Sequence, residues 1–303
     1  MNKMMQRSNR SRTPSAAIVT ILLLGAAFQS VTAQAKDMLT ATPVTYMLAT
    51  ELTKGTGLET TYLPPKRYGM QRLPNWFASK GADLTVKAAK KAKVAITLGA
   101  VWPQDPLYVH ARSGNIEIVE IDASQAISPR AQGVAALRLA DGTLSPFIWL
   151  NPSNLTRMAA IVSQDLQRVW PQHAATIAAN QQKLMIDVRS LINRQQAALF
   201  DAEVDSVMLL SSELEDFASG NQLFVVGRYT KPEMDWTAEE KQTFVETLQS
   251  DDSIWLLTTK KLTKQQLALL PNPERVLTID SIDRWGRTGI QGKSPLARWN
   301  IAL

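Results

Sequence analysis

Beyond residue 36 the apolar positions follow two alternating habits. Short β-rich runs at 38–41, 58–63, 94–98 and 116–121 are separated by stretches of helical spacing, the alternation expected of βαβ units with a largely parallel sheet. A helix is predicted from Pro43, where the missing N–H costs nothing, to about Lys54, with Gly55 and Gly57 ending it. Pro64-Pro65 closes the next strand, and a loop to Pro74 leads to a helix capped by Asn75 and running to about Ala92. Residues 147–150 read as one more short strand, ahead of Asn151-Pro152.

From Ser153 the period settles. Leu155, Met158, Ile161, Val162, Leu166 and Val169 recur every three or four residues, and Ile177, Leu184, Val188 and Leu191 resume the stripe beyond Pro171. Proline must interrupt that run, so two helices are predicted, 153–169 and about 172–199. Strands return at 206–210, 223–226, 254–257 and 276–280, with helices near 212–219, 235–249 and 263–270. The expected fold is α/β: one lobe at 36–150 and another at 200–303, each with a mostly parallel sheet, joined by linking helices at 151–199 that include a long rigid spine. Such lobes can hold a ligand cleft at the carboxyl ends of their strands.

Charge changes this picture less than the total of +6 suggests. Lys3, Arg7, Arg10 and Arg12 precede an apolar stretch at 16–28, too short for a spanning helix of about 20 residues, and Ala33-Gln34-Ala35 follows it. This is the pattern of a secretory signal peptide at 1–35, cut near Ala35. Without those basic side chains the remainder carries 29 basic against 27 acidic residues, a net of +2. An exported periplasmic protein is expected, not an integral membrane one. Lys87, Lys90, Lys91 and Lys93 read as a solvated face, and no aromatic interleaving suggests a nucleic-acid partner.

Composition excludes several chemistries. The chain has no cysteine, hence no disulfide, thiolate metal site, iron–sulfur cluster or cysteine nucleophile. Its histidines are His110 and His173 alone, too few for a three-histidine metal centre. No Gly-x-Ser-x-Gly elbow, phosphate loop or dinucleotide fingerprint is present, so no catalytic residues are assigned and an enzyme is not expected.

Trp149-Leu150-Asn151-Pro152, followed by a helix and then Trp170-Pro171-Gln172-His173-Ala174-Ala175-Thr176-Ile177-Ala178-Ala179-Asn180, resembles the solute-binding proteins of zinc and manganese ABC importers. There a Trp-Leu-Asp-Pro segment precedes the linking helices and an Asp-Pro-x-x-Ala-x-x-Tyr-x-x-Asn segment opens the spine. Pro64, Pro65 and Pro74 also fall at matching places. The resemblance implies a periplasmic protein that delivers its solute to an ABC permease. It also implies an ion held by three histidines, or two and a glutamate, with one terminal carboxylate. The aligned positions here are Met70, Phe147, Ser211 or its neighbour Ser212, and Asp280. Only Asp280 is a retained family ligand.

Phenylalanine offers no donor and a neutral serine is a poor one, so zinc or manganese is possible but not the expected cargo. His173 opens the spine, at a position the family does not use for metal, and His110 lies where the family varies in length. Met70 is a conceivable thioether ligand for Cu(I), though an apolar cleft wall beside Phe147 is the preferred reading. Glu213, Glu215 and Asp216 either hold a hard cation or complement a helix N-terminus. Tyr68, Trp76, Phe77, Trp102, Phe147 and Trp149 suggest an organic surface or simple filling. A buried Asp280 would need a partner, with Arg67, Arg72 and Arg228 as candidates. The cleft candidates are therefore Met70, Phe147, Trp149, Ser211, Arg228 and Asp280. The expected protein is a monomeric binding component with a degenerate metal site, taking a metal chelate or small organic anion; the alternative is a non-transport periplasmic partner on the same fold.

Overall fold

The computed structural model describes residues 37–125, 133–268 and 270–303; the leader at 1–35 lies outside the described residues. The first lobe is built on β1 (Met38–Thr40), β2 (Thr60–Tyr62), β3 (Val94–Thr97) and β4 (Val119–Asp122), paired in the order β2-β1-β3-β4. All neighbours are parallel, with Leu39 opposite both Thr61 and Ala95. Every residue of β1 and β3 is buried, which is why these central strands read as short unbroken apolar runs rather than as an alternation. The second lobe repeats the plan with β5 (Ser206–Leu209), β6 (Phe224–Arg228), β7 (Trp255–Thr258) and β8 (Val276–Thr278), again all parallel, in the order β6-β5-β7-β8.

The lobes are bridged by α5 (Pro152–Val169) and α6 (Ala174–Asp201), which pack against each other and against α1 (Pro43–Leu52). Asn151 caps α5 by accepting hydrogen bonds from the Ser153 and Asn154 amides at 2.9 and 3.4 Å. At its other end Lys93 Nζ donates to the Val169 carbonyl at 3.0 Å and lies over the Trp170 ring. Lys93 is thus a helix C-cap, where the sequence suggested only a solvated side chain. The spine's Asn180 donates to the carbonyls of Leu52 and Lys54 at 3.0 and 2.8 Å. It thereby satisfies the end of α1, just before Gly55 turns the chain away at φ +80°.

Several expected elements differ. The single helix read from Asn75 to Ala92 is broken into α2 (Leu73–Phe77) and α3 (Ala82–Ala89). Gly81 folds back onto Trp76, its N–H on the Trp76 carbonyl at 2.7 Å, and a Cβ there would collide with the indole. Residues 148–150 form a 3-10 turn, not a strand; a short buried apolar run has no period that separates the two. An unexpected helix, α4 (Leu107–Arg112), starts where the Asp105 carboxylate accepts from the Leu107 amide. The strand expected from Ile116 begins only at Val119, Ile116 itself being 77% exposed.

In the second lobe α7 (Glu215–Gly220), α8 (Ala238–Ser250) and α9 (Lys264–Leu267) follow β5, β6 and β7. Capping boxes at Thr237/Glu240 and Thr263/Gln266 open the last two. One cluster of buried side chains runs through both lobes, and a smaller one around Met208, Phe244 and Leu256 lies within the second. Among the described residues no helix is long and apolar enough to cross a membrane.

Candidate functional site

Parallel sheets open their carboxyl ends toward one edge, and beyond β8 the chain passes along that edge through residues 279–283. Its conformation there is unusual. Ile282 is fully buried yet has φ +57°, a left-handed geometry that costs a β-branched residue on the order of 1–2 kcal/mol. Three contacts hold it. The Ile282 amide donates to Asp280 Oδ1 at 2.9 Å, Trp149 Nε1 donates to the Ser281 carbonyl at 3.0 Å, and Trp299 Nε1 donates to the Trp149 carbonyl at 2.9 Å.

Of the positions named from the sequence, Trp149 contacts this segment directly, and residues near Met70, Phe147 and Ser211 in the chain do so. Met70 is buried at the start of a 3-10 turn whose cap, Gly69, lies so close to the Asp283 carboxylate that a Cβ there would clash. Phe147 is half-buried with its ring centre 5.3 Å from that of Trp149, which in turn holds Ser281. Ser211 caps the turn that leads into α7, its Oγ accepting from the Glu213 amide, and the Glu213 side chain faces Ser281. Trp149 itself is a fully buried clamp. Arg228 stands elsewhere, at the end of the edge strand β6 and bound to Glu215 at 2.7 and 3.2 Å.

The partner expected for Asp280 is corrected. Asp280 is not buried, its side chain being 45% exposed, and its mate is Arg298, which is only 10% exposed. The guanidinium takes both carboxylate oxygens, at 2.8 and 2.9 Å, and spends its remaining donors on the carbonyls of Arg284 and Trp285. Arg67 and Arg72 instead lie over the Tyr68 ring. Arg298 was missed because residues 281–303 carry no periodic pattern. Their one signal is aromatic: Trp285 sits against Tyr46 and Tyr62 with ring centres 4.8 and 4.7 Å away, and Trp299 binds Trp149.

The acidic group at 213–216 does not converge. Glu215 pairs with Arg228, Glu213 lies near Ser281, Asp283, Arg284 and Lys260, and Asp216 is fully buried facing Ser145. Among the described residues no group of three or more histidine, aspartate or glutamate side chains is placed to share one metal ion. His110 lies beside Phe77 and His173 begins the spine without capping it. Of the aromatic set, Trp76, Phe77, Trp102 and Trp149 are core side chains; Tyr68 and Phe147 are partly exposed.

Burial pushes the Glu213 carboxyl above its ordinary value and takes Asp216 up to about 6. Ser145 faces Asp216 and draws it back down, but neither Asp216 oxygen completes a hydrogen bond of ordinary geometry. A carboxyl that holds its proton more tightly folded than unfolded adds stability below the unfolded value of 3.8, and that contribution is lost as pH rises through about 6. Asp216→Asn should therefore match the parent at about pH 4 and exceed it by about 1–3 kcal/mol at about pH 7.5, read by urea unfolding. Equal curves at both pH values would mean that Asp216 is solvated.

Two parallel-sheet lobes bridged by a long helix, with the chain returning across their open ends, are the architecture of a two-lobed solute-binding protein. Residues 78–282 match the family model described as zinc-uptake complex component A, periplasmic (ZnuA), and the chain belongs to that family. Among solved structures, it is similar to ZnuA at 17% identity, with a TM-score of 0.61 over 82% of this chain and 92% of that one. The Mn²⁺ complex of FpvC from Pseudomonas aeruginosa is similar at 14% identity, TM-score 0.63, covering 87% and 94%. The laminin-binding protein Lbp of Streptococcus pyogenes follows at 13%, TM-score 0.57, covering 83% and 90%. Identities this low establish the shared fold alone. A comparison with curated proteins finds no match.

Proposed function

We propose that this chain is an exported periplasmic solute-binding component that takes its solute between the lobes and hands it to an ABC permease. Its solute is a metal chelate or small organic anion rather than bare Zn²⁺ or Mn²⁺. The observation that carries this reading is the state of Asp280: the one carboxylate at a family ligand position is held by both oxygens on Arg298. The other aligned positions carry a buried thioether, a phenyl ring and a hydroxyl already engaged with the Glu213 amide. Such a donor set does not complete the roughly four nitrogen, oxygen or sulfur ligands a small divalent ion requires. The charges of Asp280 and Asp283 are each balanced by an arginine, Arg298 and Arg284 respectively. The segment therefore offers hydrogen-bonding groups without the net negative charge a bare cation selects.

Titration calorimetry on the purified exported chain tests this. No high-affinity uptake of Zn²⁺ or Mn²⁺ is expected, and Asp280→Ala should change the weak residual binding little. Stoichiometric zinc uptake abolished by Asp280→Ala would overturn the reading.

A further inference from the structure

The second lobe holds a cavity of about 360 Å³ that is separate from the inter-lobe segment, within the range of about 300–1,000 Å³ typical of small-molecule sites. It opens between α8 and the chain around α9. Trp236, Phe244 and Val245 wall one side, Leu262 stands on the other, and the cavity reaches Leu256 in the central strand β7. Phe244 and Leu256 belong to the lobe's own small core, so the cavity is an opening into packed structure rather than a furrow between exposed side chains. Lys241, Phe244 and Val245 share one face of α8 by their three- and four-residue spacing.

Its polar groups are few and unlike one another. The Glu233 carboxylate already accepts from Gln266 Nε2 at 3.1 Å. Lys241, one turn before Val245, is exposed, and its ammonium makes no hydrogen bond or ion pair among the described residues. Lys261 and Lys264, also exposed, flank Leu262 in the sequence. An apolar interior with an exposed ammonium among its lining groups complements a molecule that is apolar at one end and anionic at the other.

We infer that this cavity is a binding site for a small amphipathic organic anion, an aromatic or alkyl body carrying a carboxylate or sulfonate, with the body against Trp236, Phe244 and Leu256 and the anionic group on Lys241. The site lies within one lobe and is independent of the solute proposed for the inter-lobe cleft.

Two dyes that share an apolar body separate the parts of this assignment: 1-anilinonaphthalene-8-sulfonate, an anion, and N-phenyl-1-naphthylamine, its uncharged relative. Both should bind the native protein at one saturable site with enhanced, blue-shifted emission that disappears on unfolding. Val245→Trp, which fills the cavity, should abolish binding of both. Leu262→Trp, on the opposite wall, serves the same purpose if Val245→Trp melts early. Lys241→Gln should weaken the sulfonate by about five- to tenfold and leave the uncharged dye unchanged, the loss expected of one charge-assisted contact. Absence of saturable binding, or binding that survives the filling variants, would overturn the site. Equal weakening of both dyes by Lys241→Gln would overturn the anion assignment. Neither result bears on the calorimetry of the inter-lobe cleft, so the two readings fail separately.

Discussion

Trp149→Ala is expected to lower the free energy of unfolding by about 3–5 kcal/mol, among the largest effects of any single substitution in this chain. The indole is 0% exposed, so truncation opens a large void that the surrounding core can only partly close. It also strips the Ser281 carbonyl of its donor. Trp149→Phe keeps most of the volume and loses that bond, and should cost about 1–2 kcal/mol. The difference between the variants therefore divides packing from hydrogen bonding. Urea unfolding followed by circular dichroism measures both, and a loss below about 1 kcal/mol for the alanine variant would show that the lobes are not clamped through this residue. The clamp also holds Ile282 in its left-handed conformation, so Trp149→Ala should speed limited proteolysis within 283–290 more than elsewhere.

The parallel-sheet plan was legible because its signals are local. Buried strands such as Val94–Thr97 and the three- and four-residue stripe through α5 and α6 declare themselves within a dozen residues. The motif Trp149-Leu150-Asn151-Pro152 carried the family because its parts have jobs: an inter-lobe clamp, a core leucine, a helix cap and a first-turn proline. What failed was non-local. Whether the helix after Pro74 continues depends on Gly81 reaching Trp76, and whether 148–150 is strand or turn depends on where Trp149 must point. Asp280 could be placed by alignment, but its partner lies 18 positions later in a segment without period. Arginine candidates near the aligned ligands were the natural guess, and Arg228 proved to be bound to Glu215. Pairing of charges is decided by the closing of the fold, which no window of sequence contains.

Replacing Met70, Phe147 and Ser211 together by histidine is expected to raise zinc affinity only modestly, because Arg298 still occupies the carboxylate that would complete the set. Adding Arg298→Gln should release Asp280 and improve affinity by about 100-fold or more over the triple variant, on the order of 3 kcal/mol. The physical reason is competition. Asp280 gives both oxygens to a guanidinium that is itself tied to the Arg284 and Trp285 carbonyls, so an arriving ion must break a bidentate pair before it gains a ligand. Glutamine at 298 can still donate to those carbonyls but carries no charge to hold the carboxylate. Arg298→Gln alone should not bind zinc, since one carboxylate without nitrogen donors makes no site. Calorimetry on the four chains, with thermal melts to confirm that each is folded, distinguishes the outcomes. If the triple variant binds as tightly as the quadruple one, the ion pair is no barrier and Asp280 is free to ligate. If the quadruple variant gains nothing, the side chains at 70, 147, 211 and 280 do not share one centre, and the cleft differs from its relatives in shape as well as in its donors.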